Sequence, residues 1–247
     1  MTDFLKRTFE GYFKRIIIAG DGGEALQLVR SHVPDIIVSD VMMPRMNGYK
    51  LCKTIKEDIN ISHIPVILLT ARDDRQSQIS GYKNGADGYL SKPFEVEMLM
   101  ELIRNRLKNR EYTKKRYLNA GLIPTPEEST ISLTDETFLI KLNSIIQENI
   151  ENSNLGIQFI CQEVGLGRSS LYNKLKALTG MGANEYISKL RIEKAITLIS
   201  GTDMPFSEIA EKTGFTTPSY FSTAFKQYTG ETPSQYKERK KKGLADK

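Results

Sequence analysis

Three polar residues, Asp40, Thr70 and Lys92, each stand at or just after the end of a short apolar segment. A carboxylate can accept a phosphoryl group as an acyl phosphate, as it does in other aspartyl-phosphate systems. A hydroxyl can then donate a hydrogen bond to the phosphoryl oxygens, and an ammonium group can pair with their charge. These side-chain types therefore predict phosphoryl chemistry, provided that the fold brings them together.

Four short apolar segments of this half are candidate strands, and the first three of them are rich in β-branched residues, as buried parallel strands are. They cover residues 15–19, 35–39, 65–69 and 88–90. Apolar residues at helical spacing predict helices over residues 2–13, 23–32, 48–58, 75–84 and 96–107. Strands that alternate with helices indicate a doubly wound α/β sheet, and functional groups in such sheets gather at the carboxyl ends of the strands.

Residues 1–108 resemble a two-component receiver domain, which has a CheY-like (flavodoxin-like) parallel sheet. The resemblance rests on Ser39-Asp40-Val-Met-Met-Pro44 with Asn47-Gly48, on Leu69-Thr70-Ala71, and on Gly85-Ala-Asp-Gly-Tyr89 followed by Ser91-Lys92-Pro93-Phe94. It implies that a phosphohistidine donor phosphorylates Asp40, that Thr70 and Lys92 bind the phosphoryl group, and that Tyr89 reports phosphorylation to the outer face. It also implies that Asp40 and the Met42 backbone bind Mg²⁺, and that the Lys92–Pro93 peptide bond is cis.

The resemblance is incomplete at the start of the chain. Receivers begin with a strand that ends in adjacent acidic residues, which bind Mg²⁺ together with the acceptor aspartate, but here the predicted helix over residues 2–13 comes first. In the family's sheet order that strand lies between the strands at 15–19 and 35–39. We therefore expect an incomplete sheet and a weakened Mg²⁺ site. We expect the chain to be a fragment of a longer protein; the alternative is a degenerate receiver that no longer takes phosphate.

The composition changes after residue 108. Residues 109–135, which include Gly121, Pro124 and Pro126, predict a linker. Residues 136–247 show only helical patterns, at 136–150, 157–164, 169–178, 184–199, 206–212, 218–228 and 233–241. Glycines at 165, 180, 201, 214 and 230 mark the ends of these helices. The predicted fold class is thus α/β plus all-α.

Two similar helix pairs begin at Ile157 and Phe206, and each has a glycine in its turn, at Gly165 and Gly214. Helix pairs joined by a short glycine-containing turn are typical of helix-turn-helix units. This half resembles the AraC family of transcription regulators, most clearly over residues 219–230 and in Thr232-Pro233-Ser-Gln-Tyr236. The resemblance implies an all-helical tandem helix-turn-helix domain that binds double-stranded DNA.

The second helix of each pair is predicted to enter a major groove and to present polar side chains there. Residues predicted to contact bases are Ser169, Tyr172 and Asn173 in the first helix and Pro218, Ser219, Ser222 and Thr223 in the second. Residues predicted to contact phosphates are Arg168, Lys176 and Lys226. The apolar residues between them, Leu171, Leu175, Phe221 and Phe225, recur at helical spacing and are predicted to be core.

A receiver followed by a linker and an AraC-type domain resembles response regulators, and more closely the C-terminal part of hybrid two-component proteins. We expect phosphorylation of Asp40 to change the face around Tyr89, to promote homodimers and so to strengthen DNA binding, with RNA polymerase as a further partner. An alternative is a phosphorelay or protein-partner module whose DNA binding does not depend on phosphorylation. An α/β enzyme is not supported, because His32 and His63 have no catalytic partner in the sequence.

Composition sets wider bounds. The net charge of +5 and the pI near 9.0 are compatible with nucleic acid but do not by themselves indicate it. The sequence has no apolar run of the roughly 20 residues that span a bilayer, and no signal-peptide core. Two isolated cysteines, Cys52 and Cys161, give neither a disulfide framework nor zinc spacing, so we expect a cytoplasmic location. Residues 20–23 (Gly-Asp-Gly-Gly) lack a nucleotide-binding fingerprint and predict a simple turn.

Overall fold

The structure, a computed structural model, describes residues 2–71, 85–120 and 132–245. The chain forms two compact units, one built mainly from Met1–Tyr112 and the other from Glu136–Lys247.

The first unit contains a three-stranded parallel sheet in the order β1-β2-β3, with β1 at Ile37–Asp40, β2 at Val66–Ala71 and β3 at Gly88–Lys92. The described helices of this unit are α1 at Thr2–Phe9, α2 at Gly22–His32, α3 at Gly48–Glu57 and the part of α4 (Val96–Ala120) that extends to Tyr112. The pairing register aligns Asp40 with Leu69 and Ala71 with Lys92, so the carboxyl ends of all three strands meet at one edge. This architecture confirms the predicted parallel α/β fold.

Both faces of the sheet are covered, because successive side chains of β2 point to opposite sides. Val66 and Leu68 pack into one buried cluster with residues of α2 and α3, including Val29, Leu51 and Ile55. Ile67 and Leu69 pack into a second cluster with Phe9 of α1 and with Leu99 and Ile103 of α4. The continuous apolar sequence of this strand, rather than an alternating one, is the consequence of burial on both faces.

Two predictions for the first twenty residues are wrong. Residues 15–19 do not form a strand, and within the described residues β1 pairs only with β2. A strand needs a neighbouring backbone for its N–H and C=O groups, and residues 15–19 have no such neighbour in this sheet. Helix α1 ends at Phe9 instead of Phe13, since the chain turns at Gly11, whose φ of +94° suits a residue without a Cβ.

The second unit contains only helices among its described residues, as predicted. They are α5 at Leu133–Glu148, α6 at Ile157–Val164, α7 at Arg168–Thr179, α8 at Ala183–Gly201, α9 at Phe206–Lys212, α10 at Pro218–Thr229 and α11 at Pro233–Ala245. The pairs α6–α7 and α9–α10 are the two helix-turn-helix units. Helix α8 connects them, and its 19 residues span about 28 Å at 1.5 Å per residue.

The predicted linker differs from the structure at both ends. Helix α4 continues to Ala120 instead of ending at residue 107, and α5 begins at Leu133 rather than at Glu136. Residues 109–120 contain neither glycine nor proline and are rich in helix-forming Lys, Arg, Glu and Leu, so nothing in that stretch ends the helix before Gly121. The central part of the predicted linker, 121–131, and the predicted helix at 75–84 lie outside the described residues.

Most of the predicted glycine stops are confirmed. Gly165 follows α6, Gly180 follows α7 and Gly230 follows α10. Each has a positive φ and ends its helix in the left-handed region. Gly201 differs, because it is the last residue of α8 and Thr202 forms the cap. In the part of the chain that the structure describes, no helix is both long and apolar enough to cross a bilayer.

Candidate functional site

The strand ends bring two of the three predicted phosphoryl-binding residues into direct contact. Lys92 Nζ, at the end of β3, donates to Asp40 Oδ2, at the end of β1, at 2.5 Å. Both side chains are about a quarter exposed, so the pair faces solvent at the carboxyl edge of the sheet. Thr70 lies on β2 between them but is buried, and its hydroxyl donates to the Ala71 carbonyl at 2.9 Å. Thr70 would have to exchange this bond to reach a phosphoryl oxygen.

The loop after β1 fixes the position of the Asp40 carboxylate. The Met42 N–H donates to Asp40 Oδ1 at 3.1 Å, and Gly48 N donates to the Val41 carbonyl at 3.0 Å. A Cβ at Gly48 would meet the Asp40 carbonyl closer than 3.0 Å, a distance that real Cβ atoms essentially never show. The next helix starts immediately, with Asn47 Oδ1 accepting from Lys50 N at 2.9 Å as an N-cap. Asn47-Gly48 therefore holds the start of α3 against the acceptor strand.

The structure also shows Tyr89 and the Lys92–Pro93 peptide bond, both of which the family resemblance singles out. Tyr89 on β3 is half-buried and packs against the cluster beneath α2 and α3. The Lys92–Pro93 peptide bond is cis, which confirms the prediction. The aromatic ring thus lies on the α2–α3 side of the sheet.

The residues at this edge do not by themselves fit a magnesium site. Mg²⁺ prefers near-octahedral oxygen coordination that includes one or two carboxylates. Among the described residues, no group of three or more His, Cys, Asp or Glu side chains could hold a metal ion. The Asp40 carboxylate already pairs with Lys92, which leaves the Met42 carbonyl as the other predicted ligand.

Helix α7 presents one polar face and one buried face. All five residues predicted to contact DNA from this helix are exposed, and they follow the i, i+3, i+4 spacing of a single face: Arg168, Ser169, Tyr172, Asn173 and Lys176. Leu171 and Leu175 between them are at most 1% exposed, which confirms the prediction that they are core. The helix therefore carries its polar residues on one exposed face.

Helix α10 repeats this arrangement in the second helix-turn-helix unit. Phe221 and Phe225 are fully buried, as predicted, and pack on Phe215 of the turn and on Tyr236. Thr217 caps the helix, since its Oγ1 accepts from Tyr220 N at 3.1 Å. Of the residues predicted to contact DNA, Pro218, Ser219, Thr223 and Lys226 are exposed, whereas Ser222 is half-buried.

Helix α8 contacts the elements before it and the elements after it. Tyr186, near its start, donates its hydroxyl to Asn143 of α5 at 2.8 Å, and burial raises the pKa of this phenol to about 12. Glu193, further along, accepts from the Tyr228 hydroxyl of α10 at 3.2 Å, and burial followed by the Glu193 charge raises the pKa of Tyr228. Both phenols therefore remain protonated donors at neutral pH, and they join α8 to both halves of the helical unit.

Sequence reasoning missed three residues that shape these sites. Tyr220 is 57% exposed in the first turn of α10, beside the predicted DNA-contacting residues. Asp21 is buried, caps α2 and forms an ion pair with Arg45 of the loop after β1. Arg191 of α8 contacts the main chain at Asn152, and this partner is 39 residues away in the sequence. The Asp-Gly start of a helix could have indicated the cap, but no local pattern indicates the Arg191 contact.

The two cysteines do not form a disulfide. Cys52 is buried in the cluster beneath α2 and α3, and burial raises the pKa of its thiol to about 12. Cys161 on α6 is half-buried. This placement agrees with structural thiols rather than nucleophiles.

Comparison with known protein families identifies two segments. Residues 1–104 match the response regulator receiver domain, and residues 160–239 match a helix-turn-helix domain of the AraC type.

Individual proteins and a solved structure are similar to this chain over part of its length. The chain is 42% identical over 224 residues to "Histidine kinase P4" of Formosa agariphila, a match that covers 91% of this chain and 16% of that protein. It is 30% identical over 181 residues to "Probable transcriptional regulator ycf29" of Pyropia yezoensis, covering 69% of this chain and 82% of that protein. A solved structure, the C-terminal domain of AraT, a response regulator from Geobacillus stearothermophilus, is 31% identical with a TM-score of 0.39 and covers 41% of this chain and 84% of that chain.

Proposed function

Because this chain belongs to the response regulators, with a receiver domain followed by an AraC-type helix-turn-helix domain, we propose that it reads a specific DNA site and that phosphorylation of Asp40 controls this binding. The observation that carries the proposal is the pair of polar faces on α7 and α10, each exposed above a buried apolar face. Receiver and helix-turn-helix domains are both typical of non-enzymatic regulators.

The spacing of the helices supports a site with two elements. Each recognition helix of a helix-turn-helix protein enters the major groove, and successive major grooves on one side of DNA are about 34 Å apart. Helix α8 spans about 28 Å between the two units, so α7 and α10 can each enter a groove without bridging more than one helical turn. We expect Tyr172 and Asn173 to read base edges in one groove, and Ser219 and Thr223 in the next.

The carboxyl edge of the sheet supports phosphorylation at Asp40. In the proposed step a carboxylate oxygen of Asp40 forms a bond to phosphorus, and the N–P bond of a phosphohistidine breaks. The leaving imidazole keeps the electron pair and takes a proton. Lys92, which now pairs with Asp40, would then pair with the phosphoryl oxygens that replace the carboxylate charge. In a complete receiver a bound Mg²⁺ would neutralise further phosphoryl charge.

The partners follow from the same proposal. The phosphoryl donor is a histidine kinase, and the match to 16% of "Histidine kinase P4" favours a donor within the same longer chain. Phosphorylation would favour pairing of two copies through the face near Tyr89, and paired copies would hold repeated DNA sites more tightly, with RNA polymerase as a further partner. The competing function is a phosphorelay or protein-partner module, in which DNA binding is independent of Asp40.

Selection of DNA sites from a random library by the 247-residue chain tests the DNA-reading half of the proposal. We expect enrichment of a site with two elements about one helical turn apart. Salt-sensitive binding without enrichment would contradict it, because phosphate contacts alone carry no sequence information.

Two variants of α7 distinguish sequence-specific base contacts from nonspecific phosphate contacts. Asn173→Ala should weaken binding to the selected site by about 1–3 kcal/mol and leave nonspecific binding unchanged. Lys176→Ala, on the same exposed face, should weaken binding to every sequence alike and lower the salt dependence by about one phosphate contact. Equal effects of the two variants on all DNA would remove the reading role assigned to Asn173.

Phosphorylation is tested by mass spectrometry after incubation with a small acyl phosphate donor. In a longer chain that supplies the acidic pair, we expect one added phosphoryl group on the wild type and none on Asp40→Asn, and tighter binding of the selected site by the modified chain. Labelling of Asp40→Asn would assign the acceptor elsewhere. Labelling of the wild type without any change in DNA affinity would favour the phosphorelay alternative.

A further inference from the structure

The segment between α5 and α6 contacts the turn of the second helix-turn-helix unit, α9–α10. The turn after α5 ends with Ile150 and Asn152, and the turn of the second unit contains Gly214. A Cβ at Gly214 would meet the Ile150 carbonyl closer than 3.0 Å, so the two main chains lie directly against each other. Gly214 also has a φ of +72°, which a residue without a Cβ adopts without strain.

Arg191 of α8 binds both sides of this contact. Its Nη2 donates to the Asn152 carbonyl at 2.6 Å. Its guanidinium carbon lies 6.0 Å from the centroid of the Phe215 ring, within the range of a cation–π interaction. A planar guanidinium can donate in its plane while a ring lies over its face, which a lysine ammonium cannot do in the same way.

The segments on the two sides of this contact each adjoin an element that packs on α7 or α10. On one side, α5 packs on α7, where Lys174 Nζ lies 5.1 Å from the Phe138 ring centroid. On the other side, the Phe215 ring packs on Phe221 of α10 at 5.4 Å between centroids. Arg191 therefore joins the segment that follows α5, a helix in contact with α7, to Phe215, which packs on α10.

We infer that Arg191 is a positioning residue that fixes the spacing and orientation of the two recognition helices, and thereby the spacing of the DNA elements that the protein accepts. One helix between two units sets their separation along its axis, but a second contact point is needed to resist a swing of either unit about that helix. The inference rests on the proposed function, because it concerns how the same two faces read one site.

DNA geometry makes the consequence measurable. One inserted base pair moves the second element by about 3.4 Å and rotates it by about 35° around the duplex. Two units held rigidly cannot follow that displacement, whereas two units that swing freely can follow it at the cost of a lower affinity for the original spacing.

The test compares the 247-residue chain with Arg191→Met and Lys194→Met. Lys194 lies on the same helix and pairs with Glu151 at 3.1 Å on the surface, so its replacement removes the same charge near the same turn. An exposed ion pair of this kind contributes little. Each protein is titrated with the selected two-element DNA and with versions that carry one base pair more or one fewer between the elements.

We expect the wild type and Lys194→Met to lose at least about tenfold in affinity on either altered spacing, as they would for a mismatched base pair. Arg191→Met should distinguish the three spacings by no more than about threefold, with weaker binding to the original one. If Arg191→Met keeps the wild-type penalty, if Lys194→Met loses it equally, or if the wild type shows no penalty, the inference is overturned.

Amide hydrogen exchange of the three proteins without DNA provides a second readout. Arg191→Met should speed exchange at residues 149–155 and 213–216 by about fivefold or more, and Lys194→Met should not. If site selection yields no two-element DNA, the proposed function fails, and this exchange comparison alone decides the inference. Unchanged exchange in Arg191→Met would then overturn it.

Discussion

Replacing Gly214 by alanine tests how closely the turn of the second helix-turn-helix unit packs against the segment that follows α5, and Gly165 provides a matched control. The two glycines occupy equivalent turns, and both have a φ of +72°. At Gly165 an added Cβ would meet no atom within 4 Å, whereas at Gly214 it would meet the Ile150 carbonyl and the Arg191 guanidinium at 3.0 Å or less. The two substitutions therefore share a backbone cost and differ in a steric cost.

The expected loss in the free energy of unfolding is the sum of the backbone cost and the steric cost. An alanine in the left-handed region costs about 1–2 kcal/mol, and this is the whole expected effect of Gly165→Ala. Gly214→Ala adds the cost of overpacking against main-chain atoms that cannot rotate away, typically about 1–3 kcal/mol. We therefore expect a loss of about 2–5 kcal/mol in the free energy of unfolding for Gly214→Ala.

Amide hydrogen exchange, read by mass spectrometry on separate peptides, measures this difference without assuming that the two units unfold together. Peptides from α9 and α10 should exchange faster in Gly214→Ala, and those from α6 and α7 in Gly165→Ala. Each additional 1.4 kcal/mol corresponds to about tenfold faster exchange. Equal losses for the two variants would refute the reasoning, because they would mean that the contact with Ile150 contributes nothing beyond the backbone conformation.

Three further predictions concern single residues. Thr217→Ala removes the N-cap of α10 and should lower the free energy of unfolding by about 0.5–2 kcal/mol, seen as faster exchange in α10 peptides and not in α7 peptides. Gly48→Ala places a Cβ against the Asp40 carbonyl and should lower the thermal stability of the receiver unit by about 1–3 kcal/mol; an unchanged transition in calorimetry would contradict the close approach. Because burial raises the pKa of the Cys52 thiol to about 12, it remains protonated at pH 8, and iodoacetamide should modify it more slowly than the half-buried second cysteine, as followed by peptide mass spectrometry; equal rates would contradict this.

The sequence by itself determined the elements whose signal is local. Strands β1, β2 and β3 coincide with or overlap short apolar segments, and the helix pairs around Gly165 and Gly214 follow from periodicity and turn residues. The buried faces of α7 and α10 follow from the spacing of Leu171, Leu175, Phe221 and Phe225, since side chains three or four residues apart share one face of a helix. The exposed residues opposite them, which we propose to contact DNA, follow from the same spacing.

The tertiary structure decided what depends on a distant partner. Residues 15–19 have the composition of a strand but are not one, because a strand exists only where another backbone pairs with it. The Thr70 hydroxyl bonds its own neighbouring main chain, while Lys92 reaches Asp40, 52 residues away, and no local pattern distinguishes these two outcomes. Arg191 is one more basic residue on a helix in the sequence; only the folded chain brings Asn152 and Phe215 to either side of it, because contacts between remote segments arise from packing and not from periodicity.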